Sequence, residues 1–513
     1  MKGPMSRVEA VVRKESLELW TNRPLVYSFL ALVLFFVITP AILAATLLLL
    51  SACTPSPSEP APDPGKPNMV FIMADDLGYG HLGSYGQTRI QTPRLDRMAE
   101  EGTRFTQFYS GHNVCAPSRS VLMTGYHTGH TSVRINGGGS ALLSEDVTVG
   151  EILKQAGYAT GIFGKWGLGD AGTEGVPTKQ GFDQFYGYFH QVHAHFYYPA
   201  FLWRNEEKHL LPENHGETHE KYSHDLIVEE SLKFIREHRD RPFFLYLPWT
   251  IPHFELLVPE DSRKQYAGKF PEPYPYVADH YASQAQPRAT LAAMITRLDR
   301  DVGRVLDLLK ELGLDENTIV FFTSDNGGYL LDEENYFRAN GPLLGSKGNF
   351  YEGGIRVPLI VRWTGQVAPG TVDDFMWAFW DVLPTLASLG GTEAPQGIDG
   401  ISVAPRVLGQ GQEEPDRFLY WETIPGLLGG DVQPRSLAVR HGKWKAIQPR
   451  ADRPIELYDL EADIGEQNNV AEQHPEVMEE IRKFLATART TPRKYPRQEP
   501  NWDYPRLETG YLR

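Results

Sequence analysis

Two short pairs of polar residues carry the oxygen atoms that a hard cation prefers. Asp75 and Asp76 stand in "ADDLGYG", and Asp325 and Asn326 stand in "TSDNGG". Three carboxylates held close together repel one another unless a cation neutralises them. Carboxylate and amide oxygens favour Ca²⁺ or Mg²⁺ over softer transition metals. Either pair by itself is more typical of a helix cap or a turn, so the metal hypothesis requires the two pairs to meet.

A cysteine stands in "GHNVCAPSRSVLMTG", and it is one of two cysteines in the chain. Pro117 is predicted to be the first residue of a helix, a position that suits proline. A helix N-terminus presents free N–H groups and positive potential, which favour a thiolate at Cys115 or a bound anion. Two other interpretations stay open. The cysteine is a buried structural residue, or it is a nucleophile with His112 or His127 as its base.

Short apolar runs predict buried strands, and segments of helical periodicity separate them. The runs are "NMVFIM", "ATGIF", "FFLYLPW", "TIVFFT" and "VPLIVRW", with helical patterns over Leu226–His238 and Ala289–Glu311. This alternation predicts an α/β fold with a mostly parallel sheet. After about residue 404, "RFLYWET", "SLAVRHGKWKAIQ" and "IELYDL" predict a small antiparallel sheet, and "HPEVMEEIRKFLATAR" predicts an amphipathic helix.

Polar clusters mostly stand where these predicted strands end. In open α/β sheets, ligands bind beyond the carboxyl ends of the strands. Residues that are far apart in sequence could therefore converge at one edge of the sheet. The candidates are Asp75, Asp76, Lys165, His253, Asp325 and Asn326.

Six segments together resemble the signatures of the type I sulfatases, a family of the alkaline phosphatase superfamily. "CAPSR" with the following "SVLMTG" resembles the family's Cys-x-Pro-Ser-Arg signature. "ADDLGYG" and "TSDNGG" resemble its two metal-ligand motifs, and "GYATGIFGKWGLG" resembles its second signature. "IPHF" resembles the segment with the catalytic histidine, and "GSKGNFYEGGIRVP" the segment with a sulfate-binding lysine. The resemblance runs from about Asn68 to the C-terminus. It implies an alkaline-phosphatase-like large mixed sheet between helices, with a small C-terminal subdomain.

The resemblance also implies a reaction and the residues that perform it. A formylglycine-generating or radical maturation enzyme oxidises Cys115 to formylglycine, and the aldehyde hydrates. One hydroxyl attacks the sulfur of a sulfate ester, and the other lets the sulfated hydrate collapse and release sulfate. Ca²⁺ is the expected ion, with Mg²⁺ less favoured. In the implied site, the ion is bound by Asp75, Asp76, Asp325, Asn326 and residue 115. Arg119 stabilises the hydrate, and Lys165 and Lys347 bind the oxygens of the sulfate group. His253 donates a proton to the leaving alcohol.

One position departs from the family's pattern. Most members have Gly-Lys-Trp-His-Leu-Gly in the second signature, and this chain has Gly167 in place of the histidine. The resemblance assigns that histidine to the formylglycine hydroxyl, whose proton it takes. Either the protein is catalytically weak or another histidine fills the space. "GYFHQVHAHFYYP" contains His190, His193 and His195, and our hypothesis is that His193 or His195 reaches the site.

The same segment suggests a class of substrate. It is rich in aromatic residues, which suit stacking on sugar faces as well as packing in a core. We expect a sulfated carbohydrate as substrate, with an aryl sulfate as the alternative. Two other functions stay open: a phosphodiesterase or phosphonate monoester hydrolase of the same superfamily, and a non-catalytic surface protein that binds sulfated glycans. The aromatic residues are Phe196, Tyr197, Tyr198, Phe201 and Trp203.

The N-terminal segment predicts a location outside the cytoplasm. An uncharged run over Leu25–Leu50 is long enough to span a bilayer. Leu50-Ser51-Ala52-Cys53 resembles a bacterial lipobox, in which Cys53 is lipidated, and a Pro/Ser-rich tether follows. An uncleaved transmembrane anchor is the alternative. Either arrangement holds the globular part on a membrane, in the periplasm or at the cell surface.

The amino-acid composition agrees with a globular enzyme domain that follows a tether. The 513 residues are 41% hydrophobic and 22% charged, as in soluble globular proteins, and the net charge is -15. An acidic body of this kind argues against a nucleic-acid partner. The predicted organisation is a signal or lipoprotein segment at 1–53, a tether at 54–67, a catalytic domain at 68–404 and a C-terminal subdomain at 405–513.

Overall fold

Most of the predicted strands belong to one large sheet. The computed structural model describes residues 65–493, except 137–139, 215–217, 274, 276–280 and 426–432. The strands in this part are β1 (Asn68–Ala74), β2 (Thr103–Tyr109), β3 (Ala159–Lys165), β4 (Gln184–Tyr188), β5 (Phe201–Arg204), β6 (Glu207–Leu210), β7 (Phe243–Pro248), β8 (Thr318–Ser324), β9 (Arg356–Arg362), β10 (Thr371–Asp373), β11 (Trp377–Ala378), β12 (Phe418–Thr423), β13 (Ser436–His441), β14 (Trp444–Gln448) and β15 (Glu456–Asp459).

The large sheet has the strand order β10-β2-β9-β8-β1-β7-β3-β4-β5-β6, and β11 pairs with β2. Its central strands β8, β1, β7, β3 and β4 are parallel to their neighbours in that series. Antiparallel pairs flank them, at β8–β9 and β4–β5. The sheet is therefore mixed and mostly parallel, which confirms the predicted fold class.

Strand β1 shows why the centre of the sheet is so apolar. All seven of its residues are buried. Its side chains alternate between two hydrophobic cores, because successive residues of a strand point to opposite faces. A strand covered on both faces therefore appears in sequence as a continuous apolar run. Met69, Phe71 and Met73 join one core, and Val70, Ile72 and Ala74 join the other.

Helices cover both faces of this sheet. In the described part of the chain they are α1 (Pro93–Glu100), α2 (Cys115–Thr124), α3 (Val149–Gln155), α4 (Ser223–Glu237), α5 (Glu260–Arg263), α6 (Pro287–Glu311), α7 (Glu352–Ile355), α8 (Val382–Leu389), α9 (Ala404–Val407) and α10 (Pro475–Leu485). Apolar residues of α2, α3 and α8 pack into one core, and those of α1, α4 and α6 pack into the other. The helical patterns predicted at 226–238 and 289–311 correspond to α4 and α6.

The C-terminal part forms the second, smaller sheet. Its order is β12-β13-β14-β15, every pair is antiparallel, and α10 packs against it. Trp421 Nε1 donates a hydrogen bond to the carbonyl oxygen of Ser110 over 2.9 Å. Lys445 Nζ lies 2.8 Å from Glu352 Oε1 in α7. The separate antiparallel sheet and its helix confirm the predicted architecture, whereas the boundary at residue 404 stays a prediction.

The N-terminal predictions fall outside the described residues. They concern the apolar run at 25–50, the lipidation of Cys53 and the tether. Within the described part of the chain, no helix has both the length and the apolar character needed to cross a membrane.

Candidate active site

Four parallel strands bring most of the predicted site residues to one edge of the large sheet. These strands, β8, β1, β7 and β3, are consecutive in the sheet, so their carboxyl ends lie side by side. Polar residues follow or end each of them. They are Asp325 and Asn326 after β8, Asp75 and Asp76 after β1, His253 after β7, and Lys165 as the last residue of β3.

Cys115 approaches this edge as the first residue of α2. All ten residues of the helix are buried, and Cys115 Sγ lies 3.3 Å from Asp75 Oδ1. The helix begins two residues before Pro117, the residue at which it was predicted to begin. Proline is tolerated there because an N–H in the first turn has no partner within the helix.

Asp76 joins the two pairs of predicted metal ligands. Its backbone N–H donates a hydrogen bond to Asp325 Oδ1 over 3.1 Å, and its Oδ1 accepts one from Asn326 Nδ2 over 2.8 Å. Its φ of 66° lies in the left-handed region, which is uncommon outside glycine. Backbone strain of this kind is typical of functional sites. The structure therefore brings together the two pairs that the sequence places 250 positions apart.

Two lysines lie against the carboxylates. Lys165 Nζ is 2.7 Å from Asp75 Oδ2, and Lys347 Nζ is 2.7 Å from Asp76 Oδ2. Lys347 Nζ is also 3.1 Å from His253 Nε2, which itself lies 3.4 Å from Asp76 Oδ2. The lysines predicted to bind sulfate and the histidine predicted to act as an acid thus belong to one cluster.

Arg119 ties two strand ends together inside this cluster. Its guanidinium is 1% exposed and donates to Asp325 Oδ2 from Nε over 3.1 Å and from Nη2 over 2.7 Å. Its Nη1 donates to the carbonyl oxygen of Lys165. Both bonds converge on one carboxylate oxygen, and hydrogen bonds between charged groups are among the stronger ones in proteins. Arg119 therefore holds the end of β8 against the end of β3.

Burial and nearby charges set the protonation of the carboxylates. Burial raises the pKa of Asp75, but Lys165 and the other cations outweigh it and hold the pKa well below its usual value. Burial raises the pKa of Asp76. Burial, with the charge of Asp75, raises the pKa of Asp325 to about 7. Three carboxylic acids this close together resist full ionisation because their negative charges repel one another. A bound divalent cation would relieve that repulsion.

The same surroundings keep both Cys115 and His253 neutral. Burial and the charge of Asp75 raise the pKa of the Cys115 thiol far above its ordinary value. Burial and the charge of Lys347 lower the pKa of His253 well below its ordinary value. A thiol that stays protonated is a poor nucleophile.

Neither histidine considered as a base for this thiol is directed at it. His112 Nε2 lies 3.0 Å from the carbonyl oxygen of Glu422, and its Nδ1 accepts the N–H of Val114. His127 Nδ1 accepts a backbone N–H over 3.1 Å. Among the contacts of the described residues, the interpretation of Cys115 as a thiol nucleophile therefore finds no base.

The donor atoms of the cluster fit a hard cation. One ligand atom from each of Asp75, Asp76, Cys115 and His253 lies within 4.8 Å of the others. Asn326 Oδ1 is buried, and no described residue donates a hydrogen bond to it. An amide oxygen without a donor, set among carboxylates, suits Ca²⁺ or Mg²⁺. The identity of the ion stays a prediction.

Gln191 fills the space beside Gly167. Gly167 has a left-handed φ of 79°, and a Cβ added there would lie 2.1 Å from Gln191 Nε2. Only histidines were predicted for this space, and the glutamine that occupies it was not. Its one signal in the sequence is its place between His190 and His193.

The two candidate histidines lie in different surroundings. His193 is fully buried, and its ring packs against Tyr188 and Phe201 with centroids 4.9 and 4.5 Å away. Burial lowers the pKa of His193 to about 3. His195 stacks on the ring of His253. His195 thus contacts a predicted site residue, and its role there stays a prediction.

The aromatic residues that were expected to meet a sugar are buried. Their exposed fractions are at most 7%. A ring enclosed in a core presents no face to a substrate, so the stacking interpretation of these residues is wrong. They are Phe196, Tyr197, Tyr198, Phe201 and Trp203.

Known proteins resemble this chain over most of its length. The family model described as Sulfatase matches residues 67–392, and the one described as N-sulphoglucosamine sulphohydrolase, C-terminal, matches residues 345–491. Arylsulfatase A of Homo sapiens is 32% identical over 473 residues, which cover 82% of this chain and 87% of that protein. An N-acetylgalactosamine-6-O-sulfatase of Bacteroides thetaiotaomicron is 30% identical over 519 residues, which cover 83% and 93%.

A solved structure shares the fold. The crystal structure of Ps i-CgsB in complex with k-i-k-neocarrahexaose aligns with a TM-score of 0.70 and 27% identity. The alignment covers 85% of this chain and 94% of that one. The likeness thus extends over the main sheet and beyond it.

Proposed function

This chain belongs to the sulfatase family and is a sulfuric ester hydrolase, and we propose that it removes sulfate from a sulfated carbohydrate. In this proposal residue 115 acts as formylglycine and the acidic cluster holds Ca²⁺. The observation that carries it is the convergence of oxygen donors, a buried cysteine and two lysines at one sheet edge. The converging residues are Asp75, Asp76, Cys115, Lys165, Asp325, Asn326 and Lys347.

Two similar proteins support a carbohydrate substrate. One is named for a sulfated N-acetylgalactosamine, and the other was solved in complex with k-i-k-neocarrahexaose. The aryl sulfate alternative draws support from the similarity to arylsulfatase A. The compounds to test as substrates are therefore a panel of sulfated saccharides and one aryl sulfate.

The buried cluster supports the calcium part of the proposal. Asp75, Asp76, Asp325 and Asn326, together with residue 115, would hold the ion. When bound, the ion neutralises the crowded carboxylates and polarises the oxygen nucleophile and the sulfate as a Lewis acid. The free amide oxygen of Asn326 and the raised pKa of Asp325 favour such a cation.

The surroundings of Cys115 support its conversion. The thiol donates a hydrogen bond to Asp75, has a strongly raised pKa and stands in the modification signature. As the hydrate of formylglycine, the residue supplies one hydroxyl that attacks sulfur and displaces the alcohol. Its second hydroxyl then loses a proton as sulfate is expelled, which restores the aldehyde. The carboxylate of Asp75 is positioned to accept a hydrogen bond from residue 115.

Lys347 and His253 lie side by side next to Asp76, which suits them to act together on the ester and its leaving group. Their nitrogens are 3.1 Å apart, and the charge of Lys347 helps to keep His253 neutral in the free protein. A bound sulfate ester brings negative charge that counters Lys347, which raises the pKa of His253. Substrate binding then prepares the imidazole to donate a proton to the leaving alcohol.

The decisive experiment joins mass analysis to kinetics. The full chain is produced together with a formylglycine-generating enzyme, and the peptide that contains residue 115 is weighed. Hydrolysis is then measured on sulfated saccharides, an aryl sulfate, a phosphate diester and a phosphonate monoester. We expect an aldehyde at residue 115 and a kcat/KM for sulfate esters that exceeds the others by orders of magnitude. Cys115→Ala, which keeps the fold but cannot be converted, is the control.

Other outcomes would favour the other candidate functions. Equal rates on sulfate and phosphate esters would indicate a phosphodiesterase or phosphonate monoester hydrolase. Tight binding of a sulfated saccharide without turnover by the converted protein would indicate a glycan-binding protein. Full activity with an unmodified thiol would contradict the proposed nucleophile.

We also propose that Cys53 carries a lipid which holds the enzyme outside the cytoplasm, in the periplasm or on the cell surface. The supporting observation is the lipobox-like sequence followed by a Pro/Ser-rich tether. In a bacterial host, Cys53→Ser should abolish incorporation of labelled fatty acid. Labelling that persists in this variant would contradict lipidation at Cys53, whereas membrane retention without any labelling would favour the transmembrane anchor.

A further inference from the structure

A buried ion pair joins the C-terminal sheet to the segment that contains Lys347. Lys445 in β14 and Glu352 in α7 are both 0% exposed, and Lys445 Nζ lies 2.8 Å from Glu352 Oε1. Burying two charges is costly, and replacing such a pair by apolar residues is often neutral or stabilising. Stability is therefore a weak reason for the pair, and the proposed reaction uses neither side chain.

Glu352 is held by several groups at the start of α7. Its Oε2 accepts hydrogen bonds from Tyr109 Oη over 2.8 Å and from Arg356 Nη1 over 3.2 Å. Its backbone N–H donates to Glu466 Oε2 over 2.7 Å, and Glu466 has a left-handed φ of 51°, which is uncommon outside glycine. Burial raises the pKa of Glu352, but Lys445 and the arginines nearby outweigh it and lower the pKa to about 2. The C-terminal part thus holds α7 at two points, through Lys445 and through Glu466.

The helix α7 in turn fixes the loop that carries Lys347. The backbone N–H of Gly353 in α7 donates to the carbonyl oxygen of Leu344 over 2.7 Å. A Cβ on Gly354 would lie 1.9 Å from the carbonyl oxygen of Asn349, so only a glycine allows this approach. Leu344 precedes Lys347 by three residues and Asn349 follows it by two. The backbone of α7 therefore lies directly on the loop, both before and after the lysine.

Lys347 links this loop to the proposed site. Its backbone N–H donates to the carbonyl oxygen of Gly328 over 3.1 Å, and Gly328 follows the proposed ligand Asn326 by two residues. Its ammonium lies 2.7 Å from Asp76 Oδ2 and 3.1 Å from His253 Nε2. A shift of α7 would therefore move the ammonium relative to the other groups of the site.

We propose that Lys445 is a positioning residue for sulfate binding: its ion pair with Glu352 fixes α7, and α7 holds the ammonium of Lys347 where the sulfate oxygens bind. An ammonium on a flexible stem supplies charge without fixed direction, so the backbone that carries it must be held in place. In this way the C-terminal sheet, which supplies none of the proposed site residues, sets the affinity for sulfate. The inference rests on the proposed function, because it assumes that Lys347 binds the sulfate group.

Binding of inorganic sulfate tests the inference apart from turnover. Kd and melting temperature are measured at one calcium concentration for the wild-type protein, Lys445→Met, and Lys445→Met with Glu466→Gln. Both variants lose the bond to Glu352, and the second also removes the carboxylate that lies 3.7 Å from Lys445 Nζ. Each should weaken sulfate binding about tenfold, as expected for a residue that acts through a packed network. The double variant should be the more stable of the two, because it buries less unpaired charge.

Control variants separate positioning from stability. Val439→Ala removes buried apolar contacts in β13, so it should lower the melting temperature and keep the sulfate affinity. Lys443→Met breaks a partly exposed ion pair with Asp459 and should change neither quantity appreciably. In Lys347→Met, which removes the ammonium itself, the addition of Lys445→Met should weaken sulfate binding no further, because both residues act through the same contact.

Wild-type sulfate affinity in both Lys445 variants would overturn the inference. The same holds for an equal loss of affinity in Val439→Ala, for additive losses in the Lys347→Met background, and for no sulfate binding by the wild-type protein. Sulfate ester hydrolysis measured in parallel separates the two proposals. If the wild-type protein is active and loss of Lys445 changes neither Kd nor kcat/KM, only the role of Lys445 is contradicted. If the wild-type protein binds sulfate through Lys347 and Lys445 but hydrolyses no ester, only the hydrolytic function is contradicted.

Discussion

The imidazole ring of His195 stacks on that of His253, with 4.6 Å between the ring centroids and 16° between the ring planes. Tyr281 approaches both rings, at 5.1 Å from His195 and 5.7 Å from His253. Two flat rings in parallel contact restrict each other's rotation. His195 is therefore placed to fix the direction of His253, whose Nε2 faces Lys347.

Alanine at His195 should reduce turnover with little effect on stability. Without the stacked ring, His253 can turn away from the leaving group, and a small displacement of a catalytic group costs about 100-fold in rate. The measurement is kcat on the preferred sulfate ester. His195→Phe, which keeps a flat ring, should recover part of the loss.

Alanine at His193 should act mainly on stability. The ring is fully buried between aromatic neighbours, and its removal leaves a cavity that costs about 2–4 kcal/mol. Urea unfolding measures this effect. If His193→Ala lowers kcat more than His195→Ala does, at temperatures where both are folded, His193 is the residue that compensates for Gly167. Wild-type rates in both variants would contradict the idea that a histidine compensates.

Calcium should raise the melting temperature by several degrees, and Asn326→Ala should remove most of that response. The variant deletes one proposed oxygen ligand and the hydrogen bond to Asp76 but leaves the ion pairs of Arg119, Lys165 and Lys347 in place. Titration of Ca²⁺ into chelator-treated protein, followed by thermal unfolding, measures the effect.

Asp399→Asn is the control for this titration. Asp399 forms a second group of metal-type side chains with His127 and His130, away from the proposed ligands. Its variant should respond to Ca²⁺ as the wild-type protein does. If the response disappears in Asp399→Asn and persists in Asn326→Ala, the calcium ion lies in the second group and the proposed ligand set is wrong.

Glu255 should make a contribution to the free energy of unfolding that falls as pH rises from about 4.5 to about 8. Burial raises the pKa of this fully enclosed carboxyl from 4.5 to about 8. In that window the unfolded chain loses the proton while the folded chain keeps it, so the unfolded state binds fewer protons and gains in relative stability. Glu255→Gln keeps an acceptor for the Ala282 N–H and removes the titration.

This variant should match the wild-type protein near pH 5 and exceed its stability at pH 8 by up to about 5 kcal/mol. Urea unfolding across the pH range gives the two curves. Glu260→Gln, which alters an exposed carboxylate on α5, should follow the wild-type curve. Parallel curves for Glu255→Gln and the wild-type protein would show that Glu255 titrates normally.

Restoring a histidine at position 167 should fail unless Gln191 is removed. Gly167→His alone creates a 2.1 Å contact with Gln191 and a left-handed histidine, and should cost about 2–4 kcal/mol. Gly167→His with Gln191→Gly relieves the contact and should recover part of the melting temperature. A double variant as unstable as the single one would mean that backbone strain, and not the amide, excludes a side chain there.

The sheet and the grouping of its polar residues could be predicted because both follow from local sequence. A strand buried on both faces must be apolar, as "NMVFIM" and "TIVFFT" are, and the polar residue that follows must lie at the strand end. Parallel neighbours then bring Asp75 and Asp325 to the same edge. The pairing order had to come from the structure, as did the strands of the large sheet that no apolar run had predicted, β2 and β4 among them.

Contacts that depend on the course of the chain after a strand could not be predicted. Nothing local to Arg119 indicates that it binds the carbonyl oxygen of Lys165, and nothing local to Gln191 places it over Gly167. The aromatic residues from Phe196 to Trp203 mislead for a related reason. The same rings serve a core or a binding surface, and only their burial decides between the two.

The burial of α2 limits when another enzyme can reach the thiol of Cys115. Cys115 is 1% exposed and stands at the start of a helix that is buried throughout. The cluster around it closes only when β1 and β8 pair, across some 250 positions of the chain. In the proposed function, an enzyme that oxidises the thiol must therefore reach it before that pairing. A molecule that folds first would keep its thiol for as long as it stays folded, and the proposal then predicts that the active share of a preparation depends on oxidation before folding.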